Sequence, residues 1–369
     1  MEIKIARDVF LGGTQKAQGI VESKGAMPIL SHLLISTAKD GVYIQATDLE
    51  IGVKSFLPAQ ILSEGAVTLN ARKLFDILRE LPTEEVKLKK EENDWVALQC
   101  GKSRFRLPGL AAADFPKLPE YSEDALLEFK GEALKEMIRK TFFSVSPDET
   151  RQVLNGLLLE RDGNQVNLVG TDGHRLALVK RTPLKINVPE GEDLSYLLPK
   201  KMLSELMKFL EEGDAPYSFS VKDNHLAFIQ GKQVIVSRRV EGKFPNYRQV
   251  IPTDNEIKVK VNKSALEHGL KRVALLADDK SKMVKFEIRK GGITLVSDTT
   301  ELGAANEEIP VDYDGEDMFI GLNARYVLDI LAAVDQEDVV LNLKDENHSC
   351  LVTVDKDEDY LCIVMPMRL

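Results

Sequence analysis

Cysteine is scarce in this chain. The three present, Cys100, Cys350 and Cys362, are odd in number and show no Cys-x-x-Cys spacing. That excludes a disulfide framework and argues against a zinc site; free thiols in a reducing cytoplasm are expected. No run of about 18 apolar residues exists, so no transmembrane helix and no membrane partner are expected. The first residues, "MEIKIARDVF", lack the apolar core of a signal peptide. Long Pro- or Ser-rich tracts are missing as well, and 43% hydrophobic with 29% charged residues is ordinary globular composition. There is no G-x-S-x-G, no His-Glu-x-x-His, no Gly-rich phosphate loop and no clustered ligand set, so neither cofactor nor metal is expected. A basic excess is lacking too. The net charge of −10 speaks, at first sight, against a nucleic-acid partner.

What the sequence does contain is repetition. "NARKLFDIL" at 70–78 returns as "NARYVLDIL" at 323–331, and "LPKKMLSEL" at 198–206 has the same shape. Upstream of each runs another shared block: "KDGVYIQATDLEIGV" (39–53), "RDGNQVNLVGTDGHRLAL" (161–178) and "KGGITLVSDTTELGAA" (290–305). Each opens on Asp-Gly or Gly-Gly, which supplies the positive φ of a tight hairpin. Each then gives an apolar strand ending in Thr47-Asp48, Thr171-Asp172 or Ser297-Asp298. "DFPKLP" (114–119) and "KFPNYRQVIP" (243–252) close the first two copies. The period of roughly 125 residues is that of a domain, not of a solenoid. "MEIKIA", "EIKVKVNK", "YSFSVKD" and "VVLNLKD" alternate as half-buried strands. Leu74, Ile77, Leu78 and Leu81 make one helical stripe, and Leu203, Leu206, Met207 and Leu210 another. The fold class expected is α+β: three copies of one domain at 1–123, 124–252 and 253–369, each with two strand–helix–strands units.

With the apolar stripes turned inward, basic residues remain on the helices. The second-unit helices show Arg72, Lys73 and Arg79, then Lys200, Lys201 and Lys208, then Arg325; the first-unit helices add Lys16, Lys135, Arg139, Lys140, Lys271 and Arg272. Acidic residues crowd into turns such as "PTEEV", "KEEND" and "DYDGED". The net charge thus averages two unlike populations, and a polarised surface is one reading. Lysines that merely solvate exposed helix faces are the other. The Thr/Ser-Asp pair, kept in every copy, reads as a turn that satisfies backbone donors. Only the middle copy continues Gly173-His174-Arg175, which makes that stretch the better functional candidate.

Three domain copies, paired strand–helix–strands units and basic helix faces together resemble the β subunit of bacterial DNA polymerase III, the replication sliding clamp. The similarity spans the whole chain and is sharpest in "RQVLNG" (151–156), "TDGHRLA" (171–177), "FPNYRQVIP" (244–252), "NARYVLDIL" (323–331) and "VMPMRL" (364–369). The resemblance implies a non-enzymatic processivity factor. It would be a head-to-tail homodimeric ring, helices inside and sheets outside, that encircles double-stranded DNA without sequence preference. Lys24, Arg72, Lys73, Arg79, Lys135, Arg139, Lys200 and Lys201 would face the DNA. Retention by topology needs few phosphate contacts, which removes the charge objection. The joint would bring Phe105 against Leu275 and Leu276 of a second copy.

A pocket between the second and third domains is implied for short peptide motifs of the replicative polymerase, the clamp loader and repair proteins. Leu154, Leu176, Pro245, Val250, Ile363, Met365 and Pro366 would form its apolar wall. Arg151, Thr171, Gly173, His174, Arg175, Asn323, Tyr326, Ser349, Met367 and Arg368 would line it or its rim. Methionine adapts to different guests, and glycine admits close backbone approach. Two departures from the family pattern stand out. Lys24 occupies a place where arginine is common, keeping the charge and losing the fork. Asp148 stands where relatives carry an uncharged residue, which puts direct DNA contact there in doubt. Two rival readings remain at this point: a hydrolase-type enzyme using Asp172 and His174, and a DNA-independent scaffold of repeated domains.

Overall fold

The computed structural model describes residues 1–21, 27–188, 193–210 and 215–368; Lys24 lies outside them. Among these residues are six α-helices: α1 Arg7–Gln18, α2 Ala71–Glu80, α3 Gly131–Thr141, α4 Lys200–Phe209, α5 Lys263–Val273 and α6 Ala324–Ala333. Each helix has a strand before it and three after it, with Gln60–Ser63 and Lys185–Ile186 as short extras. The order is therefore a β-α-β-β-β unit written six times, two per sequence copy.

The recurrent "NAR" acquires a cause here. The Asn70 side chain accepts from the Lys73 backbone N–H, and Asn323 accepts from those of Arg325 and Tyr326. Asn262 does the same for Ala265 at the start of α5. An asparagine N-cap occupies donors that the first helical turn leaves orphaned. In the middle copy Pro199 precedes the helix instead, and the Lys200 N–H is taken by the Asn155 carbonyl.

The chain folds as two compact units, one of Met1–Leu134, Pro183–Gly191 and Lys201–Arg239, the other of Lys135–Thr182, Glu192–Lys200 and Val240–Leu369. Unit 1 holds a five-stranded sheet ordered Gln60–Ser63, Glu2–Ala6, Glu85–Lys90, Trp95–Cys100, Ser103–Pro108. Its second, nine-stranded sheet joins two sequence copies, because Gln233–Arg238 pairs antiparallel with Ile51–Pro58. Unit 2 repeats the scheme. Its eight-stranded sheet joins copies through Arg175–Arg181 and Tyr360–Val364, with Leu176 opposite Ile363. Its four-stranded sheet ends on Gly303–Pro310.

Alternation delivers the cores. Ile3 and Ile5, Leu33 and Ile35, and Val259 and Val261 are all buried, as are Leu74 and Leu78 of α2 and Leu203 and Leu206 of α4. Ile77 and Met207 are half-buried at the margins of those stripes. One charge expected on an outer helix face is not there. Lys140 is 2% exposed in unit 2, its ammonium 2.6 Å from Asp357, 2.7 Å from Glu136 and 4.8 Å above the Tyr360 ring. Arg181 binds the same two carboxylates. The helical spacing gives no warning, because Arg181 comes from a distant strand and Asp357 from the turn before Tyr360–Val364.

Candidate functional site

Unit 2 contains a cavity of about 160 Å³ lined by Arg151, Leu154, Thr171, Gly173, Arg175, Leu176, Pro245, Asn246, Tyr247, Val250, Ile363 and Met365. Four of these residues, Leu154, Leu176, Tyr247 and Ile363, belong to a buried cluster. Leu154, Leu158, Val169, Leu176, Leu178, Leu197, Phe244, Tyr247 and Ile363 pack together there. The strand register explains why. Leu158, Val169 and Leu178 are opposite one another on three adjacent strands, so three apolar side chains make one row across the sheet. Val250 and Met365, 45% and 41% exposed, stand at the rim.

The polar side is built on the turn Thr171–Arg175. The Thr171 hydroxyl donates to the Arg175 carbonyl at 2.6 Å and accepts from the Gly173 N–H at 3.1 Å. Oδ1 of Asp172 accepts from the backbone N–H groups of His174 (2.9 Å) and Arg175 (3.0 Å), and Oδ2 from Nε of Arg175 (3.1 Å). Gly173 has φ +93°, a conformation that side chains rarely tolerate. Arg151 donates to the Asp172 carbonyl at 2.9 Å, and its guanidinium passes so close to Gly173 that an added Cβ would sit 3.2 Å from it. Arg175 is 9% exposed; it reaches Asp329 at 2.6 Å and stacks 4.5 Å from the Tyr326 ring centre. The lining thus sets two cations, Arg151 and the buried, paired Arg175, and the polar Thr171 and Asn246 against the hydrocarbon of Leu154, Leu176, Pro245, Val250, Ile363 and Met365.

The first copy has the same turn. Thr47 donates to the Ile51 carbonyl at 2.9 Å, and Asp48 accepts from the N–H groups of Glu50 and Ile51. The third copy departs from the expected Ser297-Asp298. Its strand runs on to Thr299, which donates to the carbonyl of Gly303 four residues ahead, as Thr47 and Thr171 do. The pair is architectural. Asp172 is spent on two backbone donors and Arg175, and the acid/base reading of Asp172 with His174 finds no support.

Other predicted residues do not line the cavity. The His174 and Tyr326 rings stack with centres 6.5 Å apart. The Met365 N–H donates to the His174 carbonyl (2.9 Å), and that of Met367 to the Gly321 carbonyl (2.8 Å). Asn323 caps α6 and donates to the Ser281 carbonyl at 2.8 Å. The Ser349 carbonyl accepts from Asn255 at 2.9 Å. Pro366 and Met367 are half-buried and Arg368 is exposed. Two lining residues were missed, Asn246 and Tyr247. Tyr247 donates to Glu160 at 2.7 Å and accepts from Asn167 at 3.1 Å; burial and the Glu160 carboxylate push its phenol pKa up. An aromatic in "FPNY" was the available signal.

On the helix faces, Arg72, Lys73 and Lys201 are exposed, and Lys135 and Lys200 half-buried. Arg79 is exposed but pairs with Glu80 at 3.2 Å, and Lys201 pairs with Asp48. Arg139 is bound to the Ala333 carbonyl and Asp335. Lys271 and Arg272 pair with Glu267 and Glu307. Asp148 accepts from the Thr150 N–H and hydroxyl, bonds that hold its carboxyl below the usual range. Phe105 lies on the edge strand of the five-stranded sheet, 36% exposed; Leu275 is 77% exposed and Leu276 half-buried.

A chain with this repeated architecture is a multidomain clamp-type protein, and comparison with known proteins identifies which. Residues 1–119, 128–246 and 248–368 match the N-terminal, central and C-terminal domain models of the DNA polymerase III beta subunit. Beta sliding clamps of Pseudomonas putida and Escherichia coli K12 are 31% and 32% identical over the full length of both chains. The sliding clamp of Bacillus subtilis superposes with a TM-score of 0.93 at 27% identity, covering 100% of this chain and 99% of that one. The chain belongs to the DNA polymerase III beta-subunit family. Its function is that of a sliding clamp in DNA replication, a non-catalytic processivity factor. Neither the hydrolase nor the DNA-independent scaffold is supported.

Proposed function

We propose that the chain, with domains at 1–123, 124–252 and 253–369, closes head to tail with a second copy into a ring around duplex DNA in the cytoplasm. Short peptide segments of the replicative polymerase, the clamp loader and repair proteins dock in the unit 2 cavity. The cavity is the observation that carries the docking reading. At about 160 Å³ it matches an apolar hole of about 150 Å³, which takes up a benzene ring. One aromatic or branched side chain therefore fits as an anchor, with Met365 and Val250 adapting at the rim. Peptide carboxylates meet Arg151.

Strand pairing supports the ring. At both internal junctions the last strand of one β-α-β-β-β unit pairs with the last strand of another. Two strands of that same kind, Ser103–Pro108 and Gly303–Pro310, end their sheets unpaired. Free edges are pairing templates. One carries Arg104 and Arg106, the other Glu307 and Glu308; Arg106 and Glu307 already pair with Glu91 and Arg272, and Arg104 and Glu308 favour a second copy as the complementary occupant. Arg72, Lys73, Lys135 and Lys200 have no ion pair among the described residues and supply weak phosphate contacts compatible with sliding. The test is loading onto nicked circular DNA followed by linearisation. Release is expected; retention unchanged by linearisation refutes the ring. Met365→Asp with Val250→Asp should abolish polymerase tethering while leaving retention on circles intact.

A further inference from the structure

The repeat places a second groove in unit 1, and its chemistry has changed. Leu34, Gln45 and Lys54 face one another across three strands. They occupy the positions of Leu158, Val169 and Leu178 in the buried cluster beside the unit 2 cavity, with Gln45 two residues before Thr47 as Val169 is before Thr171. Phe115-Pro116 runs beside this row as Phe244-Pro245 runs beside the other. Gly52 replaces Leu176, and the Leu118 side chain fills the space, 2.5 Å from where a Cβ on Gly52 would sit. The apolar hole is thereby closed. In its place lies an open groove of about 680 Å³ between the row and residues 112–121, with Lys54, Lys117 and Lys222 on its walls.

We propose that this groove is a second protein-docking site, for a short acidic peptide with an apolar residue among its carboxylates. The proposal goes beyond the unit 2 cavity and stands on unit 1 residues alone. Lys54 is held 4.3 Å above the Tyr43 ring, and neither Lys54 nor Lys117 has a carboxylate partner among the described residues. Lys222 already binds one: Glu120 sits 2.6 Å away, an internal carboxylate on a groove ammonium. Leu34, Leu118 and Tyr121 supply half-buried hydrocarbon between the cations. Glu120 lines the groove and is taken up by Lys222, so a ligand's carboxylates have Lys54 and Lys117 to meet, the two groove cations without a carboxylate partner among the described residues.

The experiment is fluorescence polarisation of the full chain with dye-labelled Glu-Leu-Asp-Glu-Phe-Asp-Glu and with its counterpart carrying lysine at every acidic place. Saturable binding of the acidic peptide alone is expected, weakening with salt. Lys54→Gln with Lys117→Gln should lower affinity about tenfold, the equivalent of about 1.4 kcal/mol. Met365→Asp, at the other site, should change nothing. On the unaltered chain, amide exchange at 112–121 should slow when the peptide is present. No binding, equal binding of the lysine peptide, loss on Met365→Asp, or displacement by oligothymidine each overturns the proposal. Because Met365→Asp reports on the unit 2 cavity, failure there and failure here are distinguishable.

Discussion

Lys140→Met should destabilise unit 2 far more than a lysine substitution on a helix ordinarily does. The ammonium is 2% exposed and lies 2.6 Å from Asp357 and 2.7 Å from Glu136. Removing one partner of a buried pair costs about 3–5 kcal/mol, because the remaining charge is left uncompensated. Here Arg181 still reaches Glu136 at 2.8 Å and Asp357 at 2.9 Å, so the low end, about 3 kcal/mol, is expected. For a unit of this size that is a fall in Tm of about 6–12 °C, read by calorimetry. The pH dependence supplies the sharper test. Burial raises the pKa of Glu136 and Asp357, but hydrogen bonds from Arg181 and Lys140 outweigh it and hold both below their ordinary values of 4.5 and 3.8. Groups depressed on folding contribute stability that is present above their unfolded pKa and lost as pH falls through the folded one. The unaltered protein should therefore lose this contribution only below about pH 4. The variant, with fewer cations around its carboxylates, protonates them sooner, and its deficit should shrink in acid. Adding Glu136→Gln restores neutrality and should recover part of the loss. A deficit under about 1 kcal/mol at neutral pH, the range of exposed pairs, or one unchanged by acid, refutes the reasoning.

Asn323→Ala should cost about 1 kcal/mol of stability through the lost cap. Asn323→Asp keeps the acceptor and should cost less in the same melt; equal losses contradict a capping role. Phe105→Ala with Leu275→Ala should convert dimer to monomer in sedimentation, and an unshifted dimer removes both from the joint. All three cysteines are buried, and burial pushes the thiols of Cys350 and Cys362 up to about 12. Native protein should leave these two unreacted with a disulfide reagent at neutral pH, and unfolding should release them; prompt native labelling of either contradicts the packing.

The periodic elements were legible because their signals are local. The stripe Leu74–Leu78 and the alternation in "MEIKIA" each follow from a single element burying one face. The repeat, once noticed, carried the six-fold element order. What stayed hidden depends on partners distant in sequence. The buried state of Lys140 requires Asp357, and its spacing along α3 is that of a solvated face. Asn323 is placed at the cavity rim by similarity alone; that its amide also spans the α6 N-terminus and the Ser281 carbonyl depends on a residue 42 positions away. Tyr247 was missed because the polar tip of an aromatic reads as exposed until Asn167 and Glu160 are seen to hold it.

Why one backbone, written three times, supports different surfaces comes down to a single row of positions. A strand's pairing is satisfied by its main chain, so the register survives any side chain that fits the pleat. Leu158, Val169 and Leu178 in unit 2 and Leu34, Gln45 and Lys54 in unit 1 share that register and the leucine at its first position, and differ at the other two. The neighbouring turn obeys the same logic. Thr47 and Thr171 make the same bond, yet φ is +77° at Leu49 and +93° at Gly173. Leucine in that conformation is strained by about 1–2 kcal/mol, and glycine relieves the strain while clearing space for Arg151 to cross. The turn thus holds the sheet in both copies, and only the copy with glycine lets a guanidinium reach the cavity mouth.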